Sequence, residues 1–262
     1  MATLAWAARM NVFITGASSG IGAALAREFA ARGATLGLLA RRRELLEALV
    51  AQLPGRHFRF AVDVTDTARL IDAAREFEAA AGGVDIVVAN AGISVGTLTE
   101  YAEDLAVFER VLHTNLLAAV ATFHPFVAPM RRRGRGTLAA IASVAGVRGL
   151  PGAGAYCASK AALISYCESL RVELRGSGVR VVTIAPGFVD TPMTADNPYP
   201  MPFLMNADAF ARRAAEAILR GASYRVLPWP MAWLARVLRI LPNAAFDRIV
   251  QRRARKPRRA PG

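Results

Sequence analysis

Cysteine is nearly missing from this sequence, lysine is scarce for so basic a chain, and no long apolar run is present. Only two cysteines, Cys157 and Cys167, occur in 262 residues, ten apart and without metal-ligand spacing around them. Neither a disulfide framework nor a metal site is expected, and a reducing cytoplasm fits. No window approaches eighteen uninterrupted apolar residues, which argues against a membrane span. The apolar stretch Met1 to Met10 lacks a charged leader, a long apolar segment and a small-residue cleavage site, so export is not expected. Lysine supplies two of the 33 basic residues, Lys160 and Lys256; arginine is the habitual cation of this chain.

The net charge of +13 is concentrated in Arg131, Arg132, Arg133 and Arg135, and in a tail of Arg252, Arg253, Arg255, Lys256, Arg258 and Arg259. Basic residues interleaved with aromatics, the pattern that stacks unpaired bases, are not seen, so nucleic-acid binding is not expected and the arginines read as a solvated surface. What remains is a globular composition, 54% hydrophobic and 20% charged, of a length common for one α/β domain.

Short apolar, β-rich runs recur at 11–15, 35–40, 58–62, 85–89, 137–142 and 179–185, separated by helix-length segments with spaced alanine and leucine such as Ile21 to Arg32. Alternating strands and helices imply right-handed crossovers and a parallel sheet covered on both faces: a doubly wound, Rossmann-like, three-layer α/β/α domain whose ligands bind at the carboxyl ends of the strands. After Pro186 the pattern changes. Four prolines break up a Met-rich stretch, read as a substrate loop at about 189–207, before a helix over Ala207 to Arg220. The reading divides the chain into a catalytic domain, 1–228, and a C-terminal helical extension with a basic tail, 229–262.

The turn Thr15-Gly16-Ala17-Ser18-Ser19-Gly20-Ile21-Gly22 follows a predicted strand and opens a predicted helix. Its glycines permit close approach of a pyrophosphate to the helix N-terminus, where free N–H groups and the helix dipole favour an anion. At the end of the second strand, where a chain selecting NAD places a carboxylate for the ribose 2′-hydroxyl, this one has Arg41 and Arg42. A guanidinium pairs with a 2′-phosphate, which favours NADP(H) over NAD(H).

Tyr156 and Lys160 stand four apart in a helical segment, on one face. An ammonium beside a phenol is expected to lower the tyrosine pKa and suit it to acid/base work. A compact ammonium kept in an arginine-using chain is not interchangeable with guanidinium. Ser143 lies thirteen residues upstream, just past a predicted strand end.

With Asp63-Val64, Ala89-Asn90-Ala91-Gly92, Asn115 and Pro186-Gly187 through Val189 and Thr191 added in order and spacing, the chain over about 11–192 resembles the short-chain dehydrogenase/reductase family of compact, single-domain type. The resemblance implies a tetrad. Tyr156 exchanges the proton at the substrate oxygen, Ser143 hydrogen-bonds that oxygen, Lys160 binds the nicotinamide ribose and tunes the tyrosine, and Asn115 holds a water in the proton path. It further implies that Gly16, Ser18, Ser19, Gly20, Ile21 and Gly22 hold the dinucleotide and that Asp63 and Val64 flank the adenine. Asn90, Ala91 and Gly92 lie beside the cofactor, and Pro186, Gly187, Val189 and Thr191 meet the nicotinamide. Homo-dimers or homo-tetramers are implied as well. Ala89 departs from the pattern where a second asparagine is common.

Met193, Tyr199, Met201, Phe203, Leu204 and Met205 of the loop are expected to line an apolar pocket for a hydrophobic ketone, aldehyde or alcohol; packing as core or interface is the alternative. Trp229, Trp233, Val237 and Leu241 form a stripe with Arg236 and Arg239 on the other side, suited to peripheral contact with a membrane surface at its cytoplasmic side or to subunit packing. Two other functions stay open. One is a 3-oxoacyl-carrier-protein reductase, against which the long extension argues; the other is a non-catalytic NADP(H)-sensing module, against which the intact tetrad argues.

Overall fold

The computed structural model describes residues 10–251 and 255–258. The residues before Met10, and Arg252, Arg253 and Arg259 of the basic tail, lie outside the described residues. In chain order the elements begin β1 (Asn11–Thr15), α1 (Gly20–Ala31), β2 (Thr35–Ala40), α2 (Arg43–Gln52), β3 (Phe58–Ala61), α3 (Thr67–Ala81) and β4 (Ile86–Ala89). They continue with α4 (Asp104–Leu112), α5 (Ala118–Arg133), β5 (Gly136–Ile141), α6 (Gly154–Glu173) and β6 (Val179–Pro186). The last part comprises β7 (Val189–Asp190), β8 (Met205–Asn206), α7 (Ala207–Arg220), β9 (Tyr224–Leu227), α8 (Trp229–Ile240) and α9 (Asn243–Val250).

Seven strands form one parallel sheet in the order β3-β2-β1-β4-β5-β6-β9. The order reverses between β1 and β4, and the crevice outside their carboxyl ends is where such a sheet takes a ligand. Both faces are covered because alternate residues of the central strands point to opposite cores. Val12 and Ile14 pack with α1, α2 and α7, whereas Phe13 packs with α3, α5 and α6. Its ring lies 5.3 Å from that of Phe126, 5.9 Å from Phe77 and 6.3 Å from Phe60, centroid to centroid.

The helical stretch 104–133 is long and apolar enough, by length and composition alone, to cross a membrane. Here Val107, Val111, Phe123, Phe126 and Met130 bury its apolar side inside the domain. A π-turn over His113–Leu117 interrupts it and turns Asn115 into the interior.

The structure adds two elements to the sequence reading. Strand β9 was missed because four residues with Tyr224 and Arg225 exposed make a weak signal at a sheet edge. Residues 243–250, read as the start of the tail, form α9, which Phe246 and Val250 pin down at an i, i+4 spacing. The tail also differs from a solvated surface. Lys256 donates to the Met193 carbonyl at 3.3 Å and to Asn197 Oδ1 at 3.1 Å, and Arg258 pairs with Asp104 and Glu103.

The extension's stripe is corrected too. Trp229, Trp233, Val237 and Ile240 face outward, Ile240 taking the place expected of Leu241, while Met231 and Ala235 face the body. Arg236 lies against the Trp233 ring, 5.8 Å from its centre, rather than opposite it. Arg239 reaches back to the Val147 carbonyl.

Candidate active site

The turn after β1 is shaped to admit a ligand. Gly16 takes a left-handed backbone (φ 68°), and a Cβ on Gly22 would lie 2.6 Å from Asn90 Nδ2 as well as against the Gly16 carbonyl. Asn90 fastens the end of β4 to this turn by donating from Nδ2 to the carbonyls of Thr15 (3.0 Å) and Gly16 (3.2 Å). Thr15 Oγ1 accepts from the backbone N–H groups of Asn90 and Ala91, a role the sequence reading did not assign. Ser19 is the N-cap of α1 but makes no capping bond, which leaves the first N–H groups of a twelve-residue helix directed at the crevice. Gly20 sits against Thr191, so the turn and the segment after β6 share one wall.

Arg42 lies over the turn, with Nη2 2.9 Å from Ser19 Oγ and 3.2 Å from Ser18 Oγ. Arg41 is largely exposed and turned toward the half-buried Asp63, 3.8 Å away. Burial raises the Asp63 pKa, but two bonds from Thr65 and the nearby Arg41 outweigh it and hold the carboxyl below its usual value. Val64 is buried beside it.

Around α6 the structure brings Ser143, Tyr156, Lys160 and Asn115 together. Ser143, at the end of β5, is buried and hydrogen-bonded with the Tyr156 phenol, and its Oγ also accepts from Ala145 N at 3.1 Å. The Lys160 ammonium donates to the Ile141 carbonyl at 2.8 Å and lies 5.9 Å from the Tyr156 ring centre. It is 4% exposed, and burial pulls its pKa from 10.5 to about 8. A Cβ on Gly92 would lie 3.2 Å from Asn115 Oδ1 and 3.5 Å from Lys160 Nζ, so this backbone packs closely against both side chains.

One expectation needs correction. The Tyr156 pKa is raised above its ordinary 10, because desolvation of the phenol exceeds the help of the Ser143 bond; the lysine, anchored to Ile141, does not reverse this. Asn115 also uses its side chain within the protein. Its Oδ1 accepts from Ile93 N at 2.8 Å, and Nδ2 donates to Ile93 O and Ser159 Oγ, both at 3.0 Å. Both amide hydrogens are committed, so the side chain keeps one Oδ1 lone pair for a water. Ser159, which relays this bond to the Tyr156 carbonyl at 2.8 Å, was a legible but unassigned member of the Tyr156-to-Lys160 motif.

Pro186 ends β6, and Gly187 N donates to the Leu227 carbonyl. Strands β7 and β8 pair at Val189 and Met205 and close the base of the loop between them. Of the six loop residues expected in a pocket, Met205 is core, while Met193, Phe203 and Leu204 are exposed. Tyr199 packs on Phe188 with ring centres 6.3 Å apart and acts electrostatically on Tyr156.

Fold and site together define a nicotinamide-dependent oxidoreductase of the doubly wound class. The sequence profile described as short chain dehydrogenase matches residues 10–200, and the chain belongs to that family. An uncharacterized oxidoreductase of Myxococcus xanthus (strain DK1622) is 41% identical over 245 residues, covering 92% of this chain and 96% of that relative. The crystal structure of levodione reductase is 28% identical, with a TM-score of 0.76, covering 85% of this chain and 98% of its own. An alcohol dehydrogenase from Thermococcus sibiricus, complexed with 5-hydroxy-NADP, is 28% identical with a TM-score of 0.73, covering 84% of this chain and 95% of its own. Enzymes of this family act on alcohol and carbonyl groups with a nicotinamide cofactor, bind small-molecule substrates and commonly form oligomers.

Proposed function

We propose that the protein is an NADP(H)-dependent reductase that interconverts a hydrophobic ketone or aldehyde and its alcohol. The observation that carries this reading is the convergence of Ser143, Tyr156 and Lys160 beside a glycine turn over which Arg42 lies. A dinucleotide fits the residues present: the turn excludes side chains, the α1 N-terminus is uncapped, and no carboxylate partners Arg42 among the described residues. Bound there, the nicotinamide supplies or accepts a hydride.

The protein's own groups manage the oxygen. The Tyr156 phenol, held protonated by burial, donates its proton to the substrate oxygen as negative charge develops there. Ser143 donates a hydrogen bond to the same oxygen and holds it in place. Lys160, released from the Ile141 carbonyl toward ribose hydroxyls, keeps a positive charge near the phenolate left behind. Arg42 clamps the 2′-phosphate. Phe188 and Tyr199, whose rings pack together after β6, supply apolar surroundings for the substrate.

The deciding experiment follows NADPH absorbance across a ketone panel with wild type and Tyr156→Phe. We expect turnover to fall at least 1,000-fold, about the full value of general acid catalysis, while NADPH binding stays intact. Retained turnover contradicts the assignment, and binding without turnover in wild type favours a sensing module. Equal activity on small polar ketones argues against a hydrophobic substrate.

The outward face of α8 supports a second part of the proposal, peripheral contact with an anionic membrane surface from the cytoplasmic side. Trp229, Trp233 and Ile240 are 68%, 61% and 81% exposed, and residues 229–262 carry nine basic residues against the single acid Asp247. On that face Arg236 lies beside the Trp233 ring, joining a cation to an interfacial tryptophan. Two free, buried cysteines fit the reducing side of the membrane.

A further inference from the structure

Residues 255–258 leave the helical extension and run across the substrate side of the catalytic domain. There they touch three separate loops. Pro257 O accepts from Gly96 N at 3.2 Å, in the segment after β4. Gly96 has to be glycine for this, since a Cβ there would lie 2.7 Å from the Pro257 oxygen and collide with the Lys256 carbonyl. Arg255 packs on Gly152, four residues before Tyr156. Lys256 bonds Met193 O and Asn197 Oδ1 in the loop after β7. These loops follow β4, β5 and β7; Ser143 stands at the end of β5, and Tyr156 lies on α6, which the Gly152 loop leads into.

Arg258 holds the segment down. Its Nε donates to Asp104 Oδ2 at 2.8 Å, and its Nη2 donates to Glu103 Oε1 at 2.8 Å and Asp104 Oδ1 at 3.2 Å. Its guanidinium lies 3.5 Å over the Tyr101 ring. A forked, two-acid pairing with a stacked plane is a geometry lysine cannot reproduce. Asp104 is itself fixed, being 6% exposed in its side chain and accepting from Leu98 N at 2.7 Å. Exposed ion pairs contribute little, but one with a nearly buried acid and a stacked cation defines position.

We propose that residues 255–258 are a strap forming the outer wall of the substrate cleft, with Arg258 as its latch, so that the strap sets the size of carbonyl compound that reaches Tyr156. The inference rests on the carbonyl-reductase reading for its substrate. The strap and its latch are positioning elements, held by loops rather than by Ser143, Tyr156 or Lys160.

The test uses the full chain with Arg258→Ala, Arg258→Lys and Lys256→Ala. Hydrogen exchange reads the strap without any activity. The Gly96 amide and the 191–204 segment should exchange at least tenfold faster in Arg258→Ala and in Arg258→Lys, with Lys256→Ala loosening the 191–204 side. Steady-state kinetics then compare a bulky and a small ketone. The ratio of their kcat/KM values should shift at least tenfold toward the bulky one, with the NADPH dissociation constant unchanged. Unchanged exchange in both Arg258 variants overturns the latch; faster exchange with an unchanged ratio overturns the wall. If wild type turns over no ketone, the carbonyl-reductase reading fails, and the exchange arm still decides whether the latch exists. Should Arg258→Ala not fold, Arg258→Lys and Lys256→Ala give the same two readouts.

Discussion

At the scale of single residues, burial governs the behaviour of the catalytic pair more than their mutual attraction. Lys160 carries its charge in the interior with a backbone carbonyl as its partner, and the displacement of its pKa from 10.5 to about 8 corresponds to a cost of about 3 kcal/mol to the folded cofactor-free protein at pH 7. The unfolded chain keeps this proton up to its ordinary value and the folded one only to about 8, so the cost is constant below pH 8 and is relieved as pH rises from 8 to 10.5. Lys160→Met should therefore raise the melting temperature at pH 7, at about 2–4 °C per kcal/mol gained. Calorimetry at pH 7, 9 and 10.5 should show that advantage shrinking; one that grows with pH contradicts the account. Arg42 gives a second expectation. Its Ala variant should lose at least tenfold of the preference for NADPH over NADH, whereas Arg41→Ala should lose less because Asp63 already faces Arg41. Comparable catalytic efficiencies of wild type with both cofactors would remove the basis for either effect.

At the scale of elements, the central strands were legible because their residues are buried on both faces and form unbroken apolar runs such as Leu36 to Ala40 and Leu138 to Ala142. Elements with one exposed face or a short span were not: β9 offers four residues, and α9 only Phe246 and Val250. The glycine turn, Ser143 and the Tyr156–Lys160 pair could be found because they are close in sequence or follow strand ends. The partners of Asn115 could not, since Ile93 and Ser159 are 22 and 44 residues away and the π-turn that aims it has no simple periodicity. The direction of the Tyr156 shift was also hidden, because a desolvation effect requires knowing what surrounds the phenol. Phe13 shows how strongly one strand residue can bind layers together. Phe13→Ala should cost about 3–5 kcal/mol, read as a lower urea midpoint, since it removes a ring that touches three other aromatic rings.

At the scale of the molecule, charge is distributed unevenly: nine basic residues and one acid lie in the final 34 residues, on or after a helix that turns two tryptophans outward. Co-sedimentation with phosphatidylserine vesicles should fall with salt as screening sets in, and Trp229→Ser with Trp233→Ser should weaken it at any salt. A drop in oligomer mass without loss of lipid binding would assign that face to subunit packing. The strap reaches back from residue 258 to Asp104, 154 positions earlier in the chain, and this has a mechanical meaning. Tension applied through a handle attached beyond residue 258 would load the Arg258 contacts before any hydrogen bond of the seven-stranded sheet. Such a pull would strip one side from the cleft while the scaffold beneath it kept its shape.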